Sequence, residues 1–196
     1  MLIRHGVKHI YKQVISNKVK TLIETERLLL RKITVDDKEK LFRLHSDPDV
    51  QKYTGEPVVE SIGEIEKAIR TRINDYEKYG YGRWATFLKN GMQFVGWAGL
   101  AYLPEFDEID LGYRFLPEFW GSGLATEASR TILTYGFDKL KLRKIIAIAM
   151  KDNKASIRVM EKAGMVFDKF APYEPGSEDA VWYWCDQKLI TINKRH

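Results

Sequence analysis

The sequence predicts a mixed α/β (α+β) fold in which a seven-stranded, mostly antiparallel sheet carries helices on both faces. Segments with a two-residue period and segments with a helical period follow one another in the order β-α-α-β-β-β-α-β-α-β-β. The strand–helix–strand unit over residues 109–150 requires its two strands to be parallel. A chain of 196 residues with 44% hydrophobic residues is long enough to bury one substantial core.

The first half of the chain contains strands and helices with clear start signals. Asp36 and Asp37 place acidic side chains at the start of a helix that runs to about His45, where the helix dipole favours negative charge. A turn signal, Lys89-Asn90-Gly91, joins two later strands. The predicted elements are a strand at Arg27–Ile33, helices at 36–45 and 62–79, and strands at Arg83–Leu88 and Phe94–Leu103.

The second half contains the clearest alternation. In the strand over 109–116 the apolar residues share one face, and the polar face holds Glu108, Asp110, Gly112 and Arg114. The run over 144–150 is almost wholly apolar, as expected for a strand buried between helices. The other predicted elements are a helix from about 124 to 139, a helix over 154–162 that ends near Gly164, and strands at Met165–Ala171 and Ala180–Leu189.

The basic residues are concentrated at the two ends of the chain. The net charge is +5, yet residues 1–20 hold five basic and no acidic residues, and residues 188–196 hold three basic ones. We therefore predict a basic N-terminal extension over 1–22, a domain over 23–189 and a short basic tail over 190–196. The slightly acidic body argues against a nucleic-acid partner.

The sequence shows no signal for a membrane, a metal or secretion. No apolar run approaches the roughly 18–20 residues of a membrane span, and no secretory signal is recognised at the N-terminus. The single cysteine, Cys185, fits a reducing compartment, so a cytoplasmic location is expected. The four histidines are dispersed and form no metal-ligand pattern.

The segment from Trp120 to Ala128 lies between a strand and a helix and contains Gly121 and Gly123. Glycine lets the backbone approach an anion closely, and the first N–H groups of a helix have no partner within it. The helix dipole adds partial positive charge at the same place. The segment therefore predicts a pyrophosphate site, although a tight strand-to-helix turn would show the same pattern.

Two segments together resemble the acetyl-CoA-binding motifs of the GCN5-related N-acetyltransferase (GNAT) superfamily. The first is the 120–128 segment, and the second runs from Asn153 to Met165. Shorter segments look like the branch that acetylates the N-termini of ribosomal proteins (RimJ/RimL-like): Thr25–Arg31, Ser46–Val50, Gly96–Leu100 and Leu111–Tyr113. The resemblance implies a fold whose two central parallel strands splay apart around the pantetheine arm of the cofactor.

The resemblance implies acetyl-CoA as a substrate and no metal. Loop N–H groups would hold the pyrophosphate, and Asn153 would contact the pantetheine arm or cap its helix. Arg158 and Lys162, with Lys154, would approach the 3′-phosphate or face solvent. Glu118 stands where the family usually has Gln or Arg. The expected cofactor residues are Phe115, Trp120, Gly121, Ser122, Gly123, Leu124, Ala125, Thr126, Asn153, Ser156, Arg158 and Lys162.

Acetyl transfer to an amine requires proton transfer at the amine and at the departing thiol. Many members of the superfamily carry tyrosine where this chain has Met160, and Ser156 matches the serine assigned as the acid in ribosomal-protein acetyltransferases. Asp110 and Glu108, on the polar face of one strand, are the candidate bases. The structural alternatives are a helix cap for Ser156 and solvent-facing acids for the other two.

The expected function is transfer of an acetyl group from acetyl-CoA to a primary amine of a protein or peptide N-terminus, by direct attack in a ternary complex. Tyr53 and Trp84 are expected to line the acceptor pocket. A polyamine, an amino acid or an aminoglycoside is an alternative acceptor, and a non-catalytic acyl-CoA sensor is an alternative class. A homodimer is compatible with the resemblance.

Overall fold

The structure is a computed structural model that describes residues 21–173, 176–177 and 179–193. The strands in this part of the chain are β1 (Thr21–Glu24), β2 (Leu28–Lys32), β3 (Arg83–Leu88), β4 (Phe94–Leu103), β5 (Glu108–Phe115), β6 (Lys144–Met150), β7 (Val166–Pro172) and β8 (Asp179–Asp186). They form one sheet in the order β1-β2-β3-β4-β5-β6-β8-β7. The β5–β6 pair is parallel, as predicted, and every other neighbouring pair is antiparallel.

Helices cover both faces of the sheet. They are α1 (Lys38–His45), α2 (Pro48–Gln51), α3 (Ile62–Tyr79), α4 (Leu124–Asp138), α5 (Lys154–Lys162) and α6 (Gln187–Asn193). On one face, α1 and α3 bury Leu44 and Ile69 against Trp97 of β4. On the other face, α4 buries Ile132 and Leu133 in a larger core that extends under β1 to β6. The sheet therefore has a hydrophobic core on each of its two faces.

The two parallel strands pair at only one position, where Asp110 lies opposite Ile146. Beyond it, β5 continues to Phe115 along β4, and β6 continues to Met150 along β8. The edges of β5 and β6 that face one another are therefore unpaired over these last residues. A cleft opens in the middle of the sheet, at the ends of its two central strands.

The strand count and the C-terminal strand were predicted wrongly. The sheet has eight strands rather than seven, because Thr21–Glu24 pairs with β2, and the predicted domain start at residue 23 falls inside this strand. The last strand ends at Asp186, where the Asp186 side chain accepts a hydrogen bond from the Leu189 N–H (2.9 Å) and α6 begins. The basic segments over 1–20 and 194–196 lie outside the described residues.

A buried ion pair fixes the start of α1. Asp37 is 0% exposed, and both of its oxygens accept hydrogen bonds from the Arg31 guanidinium of β2 at 2.7 Å. The Thr34 N–H also donates to Asp37 (2.9 Å). Burial alone would raise the pKa of Asp37, but Arg31, Thr34 and Lys40 outweigh it and hold the pKa below its ordinary value. This bidentate pair joins α1 to the sheet.

We expect Asp37→Asn to lower the free energy of unfolding by about 3 kcal/mol, because Arg31 then loses its charged partner beside the core. Since folding lowers this pKa, the ion pair stabilises the protein above the unfolded pKa of about 3.9, and its contribution is lost as the pH falls through the folded value. Denaturant unfolding at pH 7 measures the loss. The exposed neighbour Asp36→Asn is the control, and equal effects of the two changes would contradict this assignment.

Candidate functional site

The loop between β5 and α4 has two residues in the left-handed backbone region. Gly121 has φ +71° and Gly123, the residue before α4, has φ +80°. A Cβ at Gly121 would meet nothing within 4 Å, so this glycine is required by conformation and not by crowding. The loop therefore offers its bare backbone to the space at the open end of the cleft.

The backbone N–H groups from Gly121 to Thr126 have no hydrogen-bond acceptor among the described residues. No side chain caps α4, and the first intrahelical bond is donated by the Glu127 N–H to the Gly123 carbonyl (3.1 Å). Together with the helix dipole, these free donors form a site for an anion such as a pyrophosphate. The backbone contacts that the sequence predicted at this loop thus have the required free donors.

A buttress formed by Thr25, Arg27 and Glu127 fixes this loop to the sheet. The Glu127 carboxylate accepts hydrogen bonds from the Thr25 hydroxyl, from the Arg27 N–H (2.8 Å) and from Arg27 Nε (2.6 Å). Arg27 Nη1 donates in turn to the Ser122 carbonyl (2.9 Å). Burial would raise the pKa of Glu127, but these bonds hold it below its ordinary value. The carboxylate therefore stays ionised and keeps Arg27 against the loop.

A pair of hydroxyl groups connects β5 to α5. The Tyr113 hydroxyl lies 2.8 Å from Ser156 Oγ and 3.1 Å from the Ser156 carbonyl. Asn153 caps α5 by accepting a hydrogen bond from the Ser156 N–H (3.0 Å). Burial raises the pKa of Tyr113 well above its ordinary value, so this phenol stays protonated. The two hydroxyls thus connect β5 to α5, the helix that follows β6. Tyr113 lies on β5 after the position at which β5 and β6 separate.

Both predicted bases are engaged in ion pairs. Asp110, 9% exposed, binds Arg83 through its carboxylate, and Arg83 Nη1 also donates to the Gly99 carbonyl (2.6 Å). The Arg83 guanidinium occupies the space above Gly112, where a Cβ would come within 2.6 Å of Nη1. Glu108 binds Lys144. Each predicted base therefore has a cationic partner on a neighbouring strand of the sheet or one strand beyond it.

On the α1 side of the cleft, Arg114 is surrounded by acceptors. Its Nη1 lies 2.8 Å from Gln51 Oε1, 2.9 Å from Glu56 Oε2 and 3.0 Å from His45 Nδ1. Burial, Arg114 and Arg72 together lower the pKa of His45 to about 3. His45 is therefore neutral at physiological pH. Its one acceptor nitrogen can bind either Arg114 through Nδ1 or the Trp97 indole N–H through Nε2 (3.3 Å).

The loop after α2 spans the end of the cleft. Glu56 reaches Arg114 of β5, and a Cβ at Gly55 would lie 3.9 Å from Met150 Cε of β6. This loop contacts both diverging strands from the side opposite α4. The α1 side of the cleft is thus lined by charged groups, whereas the α4 side carries the glycine loop.

The structure places the other predicted residues as follows. Phe115 and Leu124 are buried in the core, and Trp120 is 51% exposed with its indole N–H donating to the Phe115 carbonyl (2.7 Å). Glu118 pairs with Arg43. Tyr53 is half-buried in the loop after α2. Exposed side chains are found at Ser122, Lys154, Arg158 and Lys162, and half-buried ones at Ala125 and Thr126.

Trp84, predicted to line the acceptor pocket, lies in the core on the α4 face of the sheet. It is 0% exposed and packs edge-on against Tyr135 of α4 with ring centroids 5.7 Å apart. On the neighbouring strand, Trp97 faces the opposite side of the sheet and lies beneath α1 and α3. The tryptophan near the charged side of the cleft is therefore Trp97, which the sequence did not single out.

Comparisons with known proteins agree with this geometry. Residues 27–166 match the family described as an acetyltransferase (GNAT) domain. The chain is 33% identical to the uncharacterized N-acetyltransferase YoaA of Bacillus subtilis, over 73% of this chain and 81% of the relative. The chain belongs to the GNAT acetyltransferase family. This GNAT chain also resembles a GNAT-family acetyltransferase from Bacillus anthracis, to which it is 28% identical. The match to that crystal structure has a TM-score of 0.73 and covers 85% of this chain and 98% of the other.

The relatives with named acceptors are diverse. One is the FsC-acetyl coenzyme A-N(2)-transacetylase of Aspergillus fumigatus, which is 31% identical over 83% of this chain and 74% of the relative. A structure of RimL, the ribosomal L7/L12 alpha-N-protein acetyltransferase, has a TM-score of 0.74 but only 20% identity, over 85% of this chain and 98% of that one, and shows the fold alone. The ribosomal-protein branch is therefore not distinguished from branches with other acceptors.

As a GNAT acetyltransferase, the protein uses acetyl-CoA as its acetyl donor. The residues present fit this substrate, because the free N–H groups of the glycine loop lie at the open end of a cleft between two strands. Among the residues that the structure describes, no group of histidine, cysteine and acidic side chains could hold a metal ion. Within the same residues, no helix is long and apolar enough to cross a membrane.

Two parts of this GNAT site were not predicted from the sequence. Tyr113 was assigned to the apolar face of its strand, and only its place in the Leu-Gly-Tyr segment could have drawn attention to it. Thr25 and Arg27 are part of a segment that resembles the family, but the segment does not show that they contact Glu127, about 100 residues away along the chain.

We expect Glu127→Gln to raise KM for acetyl-CoA about tenfold and to change kcat by less than about twofold, because an amide cannot accept all the hydrogen bonds of the buttress and the loop loses its anchor. Steady-state kinetics with acetyl-CoA varied would measure this. The control is Asp138→Asn, an exposed acid at the other end of α4. An unchanged KM in the Glu127 variant would show that the buttress does not position the loop.

Proposed function

We propose that the protein transfers the acetyl group of acetyl-CoA to the free α-amine of a protein or peptide N-terminus, by direct attack in a ternary complex. The observation that carries this proposal is the state of the ionisable groups beside the cleft. Asp110 and Glu108 are paired with cations, and His45 has a pKa of about 3. Such a site is suited to an amine that loses its proton readily.

An α-amine meets that condition better than other biological amines. Its pKa is about 8, so a substantial fraction is already neutral near pH 7, whereas a lysine amine has a pKa of about 10.4. Asp110 and Glu108 could still relay a proton through water. Each would then lose the charge that binds Arg83 or Lys144. We therefore propose that water takes the proton from the α-amine, and that Asp110, which lies where β5 and β6 separate, is the candidate relay.

For the departing thiol, we propose that Ser156 is the hydrogen-bond donor and that Tyr113 positions it. The single proton of the Tyr113 hydroxyl is within reach of the Ser156 carbonyl (3.1 Å) and of Ser156 Oγ (2.8 Å). When Tyr113 donates it to Oγ, the serine proton is free to point into the cleft. Met160, at the position where many members of the superfamily carry tyrosine, is 1% exposed in the core and has no proton to donate. We therefore propose that the hydroxyl pair on β5 and α5 supplies the hydrogen-bond donor that Met160 cannot provide.

The reaction then balances without a metal or redox partner. The amine nitrogen forms a bond to the carbonyl carbon of the thioester, and its proton leaves to water. The carbon–sulfur bond breaks, and CoA departs as a thiolate that accepts a hydrogen bond from the Ser156 hydroxyl. The thiolate then takes up the proton that the amine gave to water, so that Ser156 is unchanged at the end of the reaction. A thiol with an ordinary pKa of about 8.5 leaves readily, so only modest assistance is needed at this step.

The acceptor is tested by its pH profile. We expect kcat/KM for a peptide with a free N-terminus to rise with pH to a plateau above about 8, following the pKa of its amine. An N-terminally blocked peptide with a lysine should be about 100-fold slower at pH 7, because far less of its amine is neutral. Thiol release is the readout, and Gly123→Glu is the control because its side chain blocks the pyrophosphate site. Equal rates with lysine or spermidine would contradict an α-amine acceptor.

The roles of the two hydroxyls are tested separately. We expect Ser156→Ala to lower kcat about tenfold with KM for acetyl-CoA unchanged, which is below the usual contribution of a general acid because the thiolate is a good leaving group. Tyr113→Phe should lower kcat by a smaller factor. The matched control is Tyr102→Phe. Tyr102 lies on β4, and the change removes a hydroxyl that donates to Asp107 Oδ1 at 2.8 Å. A Ser156→Ala enzyme with full kcat would exclude the serine as the donor.

A further inference from the structure

Three guanidinium groups surround one tryptophan on the α1 side of the cleft. The distances from Cζ to the Trp97 ring centroid are 5.0 Å for Arg72 of α3, 5.2 Å for Arg83 of β3 and 5.3 Å for Arg114 of β5. Trp97 itself is 6% exposed. We name this set of four residues the arginine cluster. It brings together positive charge from three separate elements of the fold.

The carboxylates around the arginine cluster are too few to balance it. Arg83 binds Asp110, and Arg114 binds Glu56, whose side chain is 59% exposed. Arg72 has no carboxylate within salt-bridge distance in the part of the chain that the structure describes, and its guanidinium lies over the Trp97 ring. The nearby His45 is neutral. Among the described residues, three guanidinium groups therefore share two carboxylates, those of Asp110 and Glu56.

Holding three guanidinium groups with two carboxylates is unfavourable. Burial and the neighbouring Arg83 lower the pKa of Arg72 to about 10, the direction expected for a guanidinium that is partly removed from water beside a like charge. A desolvated guanidinium is stabilised most by an anion that accepts its N–H bonds in pairs, as a carboxylate does. The cluster is thus prepared for an anion that is not part of the described chain.

The arginine cluster lies beside the reaction site. Asp110, which holds Arg83, is the position at which β5 and β6 separate. Arg114 lies further along β5 on the same face, under the loop that spans the cleft. An amine that reaches the cleft from the α1 side would place its neighbouring atoms against these guanidinium groups.

We infer that the arginine cluster binds a carboxylate carried by the amine acceptor, so that the enzyme selects acceptors with an acidic group close to the reacting α-amine. The inference rests on the proposed function, because it places the acceptor on the α1 side of the cleft. It excludes polyamines, whose additional positive charges would be repelled by Arg72 and its neighbours. Glu56 holds Arg114 from an exposed loop and is the group that an incoming carboxylate can replace.

The test compares acid and amide forms of the same acceptor in two enzymes. Alanine is paired with alaninamide, and the dipeptide Ala-Asp amide is paired with Ala-Asn amide, so that an α-carboxylate and a side-chain carboxylate are examined separately. Each pair is assayed with wild type and with Arg72→Gln. Because the ratio between enzymes is taken for each acceptor, differences in amine reactivity cancel. Arg70→Gln, an exposed arginine two residues away on α3, is the matched control.

For at least one pair, we expect Arg72→Gln to lower kcat/KM for the acid form about tenfold or more and to change the amide form less than about twofold. Arg72→Lys should recover part of the loss, and Arg70→Gln should behave as wild type. Equal losses for acid and amide would show that Arg72 only supports the structure. Spermidine acetylation at a rate equal to that of the best acid would also overturn the inference.

A binding measurement separates this inference from the proposed function. If no acceptor releases thiol, the proposed function fails, and titration calorimetry with N-acetylalanine and N-acetylalaninamide in the presence of CoA still tests the cluster. Binding of the acid to wild type that is weakened about tenfold in Arg72→Gln would support the inference. Equal binding of the acid and the amide, or no binding of the acid, would overturn it.

Discussion

The divergence of β5 from β6 after a single paired position is the constraint on which the site depends. A continuous ladder would satisfy the backbone of both strands but leave no room for a substrate within the sheet. Here β4 and β8 bind the outer edges of the pair, so the inner edges can separate without loss of the sheet. The glycine loop and the cap of α5 then follow directly from the ends of the two separated strands, because each is the next segment of the chain.

The two sides of this cleft differ in the source of their positive charge. On the α4 side, free backbone donors and a helix dipole attract an anion, and Arg27 supports the loop through its bonds to Glu127 and to the Ser122 carbonyl. On the α1 side, charged side chains are held in pairs on a tryptophan ring, with one guanidinium in excess. A site built in this way would obtain its reactivity from the acceptor's own acidity and its selectivity from the arrangement of arginines.

The sequence predicted most of the frame and the loop, but few of the side-chain partners. Alternation over 109–116 placed Asp110, Gly112 and Arg114 on one face, because only one face of that strand meets the larger core. It could not orient Trp84 and Trp97, since β3 and β4 are buried on both faces and show no alternation. Partners such as Arg83 for Asp110 come from segments whose contact depends on strand register, which a single sequence does not reveal.

The contact between Arg83 and Gly112 joins two positions of the chain into one unit. A Cβ at residue 112 would lie 2.7 Å from Arg83 Cζ, so any side chain there would displace the guanidinium from Asp110. Conversely, a shorter residue at 83 would leave an empty space above the glycine. Substitutions at the two positions should therefore be coupled during evolution, and related chains that lose the arginine are the ones in which residue 112 is free to carry a side chain.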